Sequence, residues 1–380
     1  MIGNAPSTST AAPSGGPVDT GSAVSARGDL LRAILAPLLA IFTALVFCAL
    51  LLLVTGHNPL YVYGALWSGA VAGLSFSDTL VATTPYILLG LAVAVGFKGG
   101  LFNIGAEGQF IVGALGATWA GHLFEGAPAI LLVILALVAG VLAGAAYAAI
   151  AGVLKVVSGA HEVITTIMLN YVATYLVQWL VDTSGVMHGA TQNQQSYNIN
   201  PGAQLPIIWP NTSLSIGILI ALAGALLVYV LVWRTTWGFA LRAVGLNPTA
   251  ARSAGISVRA VTVWTMAVSG GLAGLAGAIQ ITGLQYALPD TIGSGFGFDA
   301  IAVAIIGLGN PIGIVLAALL LGALRNGATN MEQVAGISAP FASVIEAAIL
   351  FFVAAPVIIR WIYFRWNRGR SAVSTRGTEA

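Results

Sequence analysis

The stretch from Ala33 to Trp233 holds only two lysines or arginines, Lys98 and Lys155. Continuous apolar runs fill this stretch and most of the chain after it, near 33–55, 79–97, 101–123, 129–154, 162–182, 213–233, 260–283, 299–325 and 341–361. A helix needs about 20 apolar residues to cross a bilayer. Only 7% of the chain is charged, where a soluble domain carries roughly 25%. The chain is therefore expected to be an all-α polytopic membrane protein surrounded by membrane lipid, and a soluble enzyme is excluded. A β-barrel is excluded too, because the runs do not alternate. The single cysteine, Cys48, lies within an apolar run, can form no internal disulfide and reads as a small packing residue. The net charge of +2 does not point to nucleic acid, because the basic residues gather at the edges of the runs.

Lysine and arginine mark the cytoplasmic side. With the N-terminus inside, Lys98, Lys155 and Arg234 all fall inside, and the loops 56–78, 122–128 and 183–212 fall outside without a basic residue. Nine single crossings would strand Arg360, Arg365, Arg368, Arg370 and Arg376 outside. The run 299–325 resolves this if "GLGNPIG", 307–313, breaks it, since Gly-Asn-Pro does not continue a helix. Phe298–Leu308 then dips in and Ile312–Leu324 returns, with Arg325 near the outer side. The expected architecture is about ten transmembrane segments, with both termini cytoplasmic. Residues 1–30, rich in Ser, Thr, Ala, Pro and Gly, read as a disordered tail, 31–362 as the transmembrane domain and 363–380 as a second tail. The first run is too long for a signal-peptide core and reads as a retained helix.

Two membrane segments are interrupted by glycines and carry polar residues, one around 99–116 and one around 293–313. Broken helices in corresponding positions of two halves point to a solute path near the midplane, and loosened backbone is tolerated only against protein or a cavity. Asn103, Glu107 and Gln109 sit in the first, where a carboxylate at membrane depth costs several kcal/mol. If 104–111 is helical, Asn103 and Glu107 share a face. Glu107 has two roles open to it: contact with solute, or bracing of the broken helix, with Lys98 as one available partner. Asp299 can cap the second half-helix or touch solute. Phe296 and Phe298 can stack on a flat solute or pack, and Asn170 can bond between helices or to solute. His161 and Glu162 read as a boundary cap, and His57, His122 and His188 form no metal cluster.

The stretch "GFALRAVGLNPTAARSAGISVR", 238–259, is the most basic loop between runs. Asn247 reads as an N-cap, Pro248 as the first helical residue and Gly255 as the stop. A short surface helix with small residues suits insertion into a groove on a partner.

"RAVGLNPTAARSAGI" resembles the cytoplasmic coupling motif of permease subunits in binding-protein-dependent ABC importers. "GLFNIGAEGQFIVGALGA", 100–117, "HEVITTIMLNYVA", 161–173, and "GFGFDAIAVAIIGLGNPIGI", 295–314, resemble their nucleoside and simple-sugar branch. The resemblance spans roughly 55–360. It implies a permease of the bacterial cytoplasmic membrane that forms a path with a paralogous permease, and an extracytoplasmic binding protein or lipoprotein that delivers solute. It also implies cytoplasmic ATPases that dock on Arg242, Gly245, Asn247, Pro248, Ala250, Ala251 and Gly255. No cofactor is expected in this chain: it carries no Gly-x-x-x-x-Gly-Lys-Ser/Thr, so ATP belongs to the partner. The resemblance favours nucleosides as cargo. Simple sugars such as ribose, branched-chain amino acids, and an ion-coupled secondary transporter using Glu107 are the alternatives. An intramembrane enzyme has no paired-carboxylate, Ser-His or metal pattern behind it.

Overall fold

The computed structural model describes residues 42–123, 126–182, 185–189, 194–293, 295–338, 340–345 and 347–352. The tails 1–30 and 363–380, the arginines from Arg360 onward, and parts of the first run, the last run and the loop 183–212 lie outside them. The described residues are helical apart from loops and three isolated β-bridges. The helices are α1 (Phe42–Val54), α2 (Pro59–Val71), α3 (Ser75–Lys98), α4 (Ala106–Leu123), α5 (Ala129–Ser158), α6 (Glu162–Val181) and α7 (Gly217–Arg234). They continue as α8 (Thr236–Leu246), α9 (Pro248–Ser253), α10 (Val258–Gln280, extended by a π-turn at Ile281–Gln285), α11 (Phe296–Ile306), α12 (Pro311–Ala335) and α13 (Pro340–Phe352). Six of these, α3, α5, α6, α7, α10 with its π-turn, and α12, are long and apolar enough to cross a membrane.

Two helices form the centre. α3 is 78% buried and α10 72% buried over their most apolar windows, against 22% for α5 and α6. Apolarity alone does not set this, since lipid also accepts an apolar face and α5 has the highest hydropathy of the six spans; once a helix is buried, its polar residues must find local partners. Thr83 and Thr84 of α3 do so by donating to the carbonyls of Thr79 and Leu80. α10 packs through small residues: Gly270 and Gly274 lie against Gly144 and Gly140 of α5, and Gly274 also lies against Gly113 of α4. A Cβ on Gly113 or Gly274 would run into the facing backbone. This is the small-residue seam by which membrane helices approach when no hydrophobic effect drives them together.

Two expectations need correction. The segment 56–78 is not a plain loop, because it contains α2, capped by Asn58 and started by Pro59. The returning segment does not stop at Leu324 but runs to Ala335, ending where Gly336 turns left-handed. One contact explains both. Asn326 of α12 donates to the carbonyls of Gly69 and Ser75, and Asn330 donates to that of Ala65. The polar stretch "RNGATN" stays helical because α2 and its following turn supply the acceptors it would otherwise lack. Arg325 accordingly sits within α12 rather than at its end.

Candidate solute path and coupling surface

α3 ends at Gly99, Gly100 takes φ 72°, and α4 begins only at Ala106. Asn103 lies in this gap, fully buried. Its Oδ1 accepts from the Gly105 N–H and from Gln109 Nε2, both at 3.0 Å. Its Nδ2 donates to Gln109 Oε1 at 2.9 Å and to Ser269 Oγ at 2.8 Å. Ser269, on α10, donates in turn to the Ala92 carbonyl of α3 at 2.6 Å. One amide thus ties the gap to α4, α10 and α3. Asn170 of α6 closes the other side: its Oδ1 accepts from the Gly108 N–H at 2.9 Å and its Nδ2 donates to the Ile104 carbonyl at 3.0 Å. The first N–H groups of a helix have no partner within it, and Asn170 serves one of these for α4.

Glu107 serves another helix. It is 4% exposed, and its Oε1 accepts from the Gly295 N–H at 2.9 Å while Oε2 accepts from the Gly297 N–H at 2.5 Å. Both donors belong to the start of α11, where the helix dipole favours negative charge. Gly297 is packed so close that a Cβ there would strike the Glu107 backbone. Phe296 lies between Tyr86 and Phe110, with ring centroids 5.3 and 5.7 Å away. Asp299 accepts from the Tyr86 hydroxyl at 3.1 Å and is attracted by Arg325. Phe298 is 48% exposed and stands outside this lattice. No buried side-chain nitrogen or oxygen among the described residues lacks a partner.

Three expectations change here. Asn103 and Glu107 do not act from one face, since α4 starts after Asn103 and the two side chains diverge. Lys98 does not pair with Glu107, because its Nζ lies over the Trp233 ring, 5.6 Å from the centroid. Asp299 does not cap α11: the cap position is Gly295, without a side-chain bond of its own, and Glu107 reaches across from α4 to supply the acceptors. Tyr86, Ser269 and Arg325 join the lattice although sequence reasoning does not single them out for it. Tyr86 and Ser269 sit in runs where a lone hydroxyl carries no local signal. Arg325 reads, from sequence, only as a topology marker.

The basic loop folds as α8 and α9. Asn247 Oδ1 accepts from the N–H groups of Thr249 and Ala250, and Pro248 opens α9. Gly255 follows with φ 83°. The seven residues read as one surface separate into two groups. Asn247, Pro248, Ala250 and Gly255 are exposed. Arg242 is half-buried, with Nε donating to the Gly238 carbonyl. Ala251 is buried against Val244 and Val261. Gly245 packs on the gap after α3, where a Cβ would strike the Lys98 carbonyl and Gly100. The same end holds the Lys155–Glu162 ion pair at 2.5 Å, and Glu162 also accepts from the Phe102 backbone.

A family model described as "Branched-chain amino acid transport system / permease component" matches residues 75–354. The chain is 39% identical over 342 residues to the guanosine ABC transporter permease protein NupP of Bacillus subtilis, covering 87% of this chain and 96% of that protein. It is 35% identical to the nucleoside ABC transporter permease protein NupB of Lactococcus lactis, covering 86% and 92%. It is 32% identical to the glucose ABC transporter permease protein TsgB13 of Haloferax volcanii, covering 90% and 92%. No solved structure matches the chain.

Proposed function

Because the chain belongs to the branched-chain amino acid transport system / permease component family, we propose that it is the transmembrane permease subunit of an ATP-driven importer whose cargo is a nucleoside. One observation carries the cargo assignment. Relatives named as guanosine and nucleoside permeases match at 39% and 35% identity over more than nine-tenths of their length.

The proposed architecture is ten membrane segments, α1, α3 to α7 and α10 to α13, with both termini cytoplasmic. The interruptions between α3 and α4 and between α11 and α12 mark two pseudo-repeated halves. The six long apolar helices and the shorter apolar helices α1, α11 and α13 support that arrangement. A paralogous permease completes the path, an extracytoplasmic binding protein or lipoprotein feeds it, and cytoplasmic ATPases dock at the other side. ATP is held by those partners, as this chain's sequence has no phosphate-binding loop. The exposed residues Asn247, Pro248 and Ala250 are the docking surface. Ala251, Gly245 and Arg242 hold that surface onto the body of the permease. Glu107, Asn103, Gln109 and Asn170 brace the gaps beside the path, a role supported by the Asn103–Gln109 pair and by the bonds of Glu107 and Asn170 to backbone groups across the gaps. Asp299, Phe296 and Phe298 border it on α11.

The test is uptake of labelled guanosine, uridine, glucose and leucine by cells with and without the gene, before and after ATP depletion with the ion gradient held. Gene- and ATP-dependent nucleoside uptake is expected. Uptake that survives ATP depletion and follows the ion gradient sinks the importer reading. ATP-dependent glucose or leucine uptake alone keeps the machine and replaces its cargo.

A further inference from the structure

The uncovered faces of α5 and α6 differ in kind. The exposed side chains of α5 include Ile130, Ile134, Val138 and Leu142, all aliphatic, as expected of a surface against lipid. The uncovered face of α6 is mixed: beside the exposed Ile164, Met168, Val172 and Leu176 it carries Tyr171 and Tyr175, 56% and 65% exposed, then Gln178 and Trp179. The last four recur at helical spacing along one stripe. Trp179 lies near the end of α6, where an interfacial aromatic belt accounts for it. Tyr171 does not fit a belt. It lies midway along the 20-residue helix, about 15 Å from either end. Hydrocarbon offers the Tyr171 phenol no hydrogen-bond partner, so a polar group at that depth faces protein or a water-filled cavity.

The stripe leads to a cleft. Gln178, Trp179, Asp182, Gln194 and Asp290 line an open space of about 410 Å³, within the range of roughly 300–1,000 Å³ typical of small-molecule sites. The cleft is at the end of α6 away from Glu162, and so away from the α8–α9 end. Its wall is built. The Asp290 N–H donates to the Gln194 carbonyl, the Ser196 N–H to the Leu288 carbonyl, and Gln195 bridges Pro289. Beyond this wall, Gly295 stands at the start of α11, where Glu107 accepts from its N–H.

We propose that this cleft and the Tyr171–Tyr175 stripe below it are the solute-contacting surface of the permease, taking a neutral nucleoside. Trp179 and the tyrosines offer flat faces on which a base stacks. Asp182 and Asp290 accept from sugar hydroxyls, and Gln178 and Gln194 pair with the polar edge of the base. The inference rests on the importer reading, and its test separates the two.

In the assembled transporter with Cys48→Ala as background, single cysteines are placed at Tyr171, Tyr175 and Gln178 on α6, and at Val138 and Leu142 on α5. A charged methanethiosulfonate reagent then reports access, because it needs a thiolate in water. All five substitutions fall at exposed positions, so folding is not at stake. The expected result is labelling on α6 slowed at least about threefold by guanosine during ATP turnover, with the α5 positions inert. Labelling of α6 as slow as that of α5 overturns the proposal, placing lipid or a second subunit on the stripe. Labelling that guanosine does not slow, in a transporter that imports guanosine, overturns it as well. Asp290→Asn is expected to lower guanosine uptake about tenfold with assembly unchanged, and unaltered uptake counts against the cleft. A wild-type transporter without ATP-dependent guanosine uptake overturns the nucleoside cargo and this site together, while ATP-dependent uptake of another solute leaves the importer reading standing.

Discussion

A single carboxylate joins the two interrupted segments. Glu107 uses both oxygens on backbone N–H groups of α11, so neither is left over for solute in this conformation. Its replacement by glutamine keeps the shape but turns one acceptor into a donor facing an N–H. A buried donor left unsatisfied costs about 1–3 kcal/mol. Glu107→Gln is therefore expected to lower the melting temperature of the purified transporter and to reduce uptake with it. A variant that loses uptake while melting like the wild type would instead mark Glu107 as a solute ligand. The sequence announces this residue plainly, since a carboxylate among glycines in an apolar run demands a partner. It does not announce which partner. The donors are backbone groups 188 and 190 residues away, and backbone N–H groups have no letter in a sequence.

At the scale of elements, the legible parts are those whose signals are local. α9 follows from Asn247, Pro248 and Gly255, three neighbours that each set their own backbone. The break before α12 follows from Asn310 and Pro311, and Asn310 does cap that helix. α2 and the last turns of α12 are not legible, because each is stabilised by the other through Asn326 and Asn330. α9 shows the same limit, since spacing alone does not tell Ala250 from Ala251. The structure separates them and so sharpens the test. Ala250→Trp adds bulk to an exposed position and is expected to leave expression and melting unchanged while abolishing ATP-driven uptake. Ala251→Leu overfills the contact with Val244 and Val261, a change that costs about 1–3 kcal/mol. It is expected to lower the melting temperature first. Normal uptake by Ala250→Trp would show that this face of α9 is not where the ATPase binds.

Across the whole molecule, the α8–α9 end proposed for docking and the end proposed for solute are joined through the gap after α3. Gly245 of α8 packs on Lys98 and Gly100 at the start of that gap. Asn103 fastens its middle to α3, α4 and α10, and α4 carries Glu107 to the entry of α11. Movement of α8 against the gap therefore bears on the Asn103 amide, beside the direct packing of α8 on α7 and α10. Coupling of this kind needs an element with two arrangements that both sites bias, and the gap is held by side-chain amides rather than by a helical ladder. Asn103→Ala leaves Gln109 and the Gly105 N–H without their partner and opens that route. The expected outcome is uncoupling: the reconstituted transporter hydrolyses ATP at a rate within about twofold of wild type, while guanosine carried per ATP falls about tenfold. Measuring both rates on the same vesicles decides it. A parallel fall in hydrolysis and uptake would mean only that fewer transporters are folded, and the gap would then be a structural joint with no part in transmission.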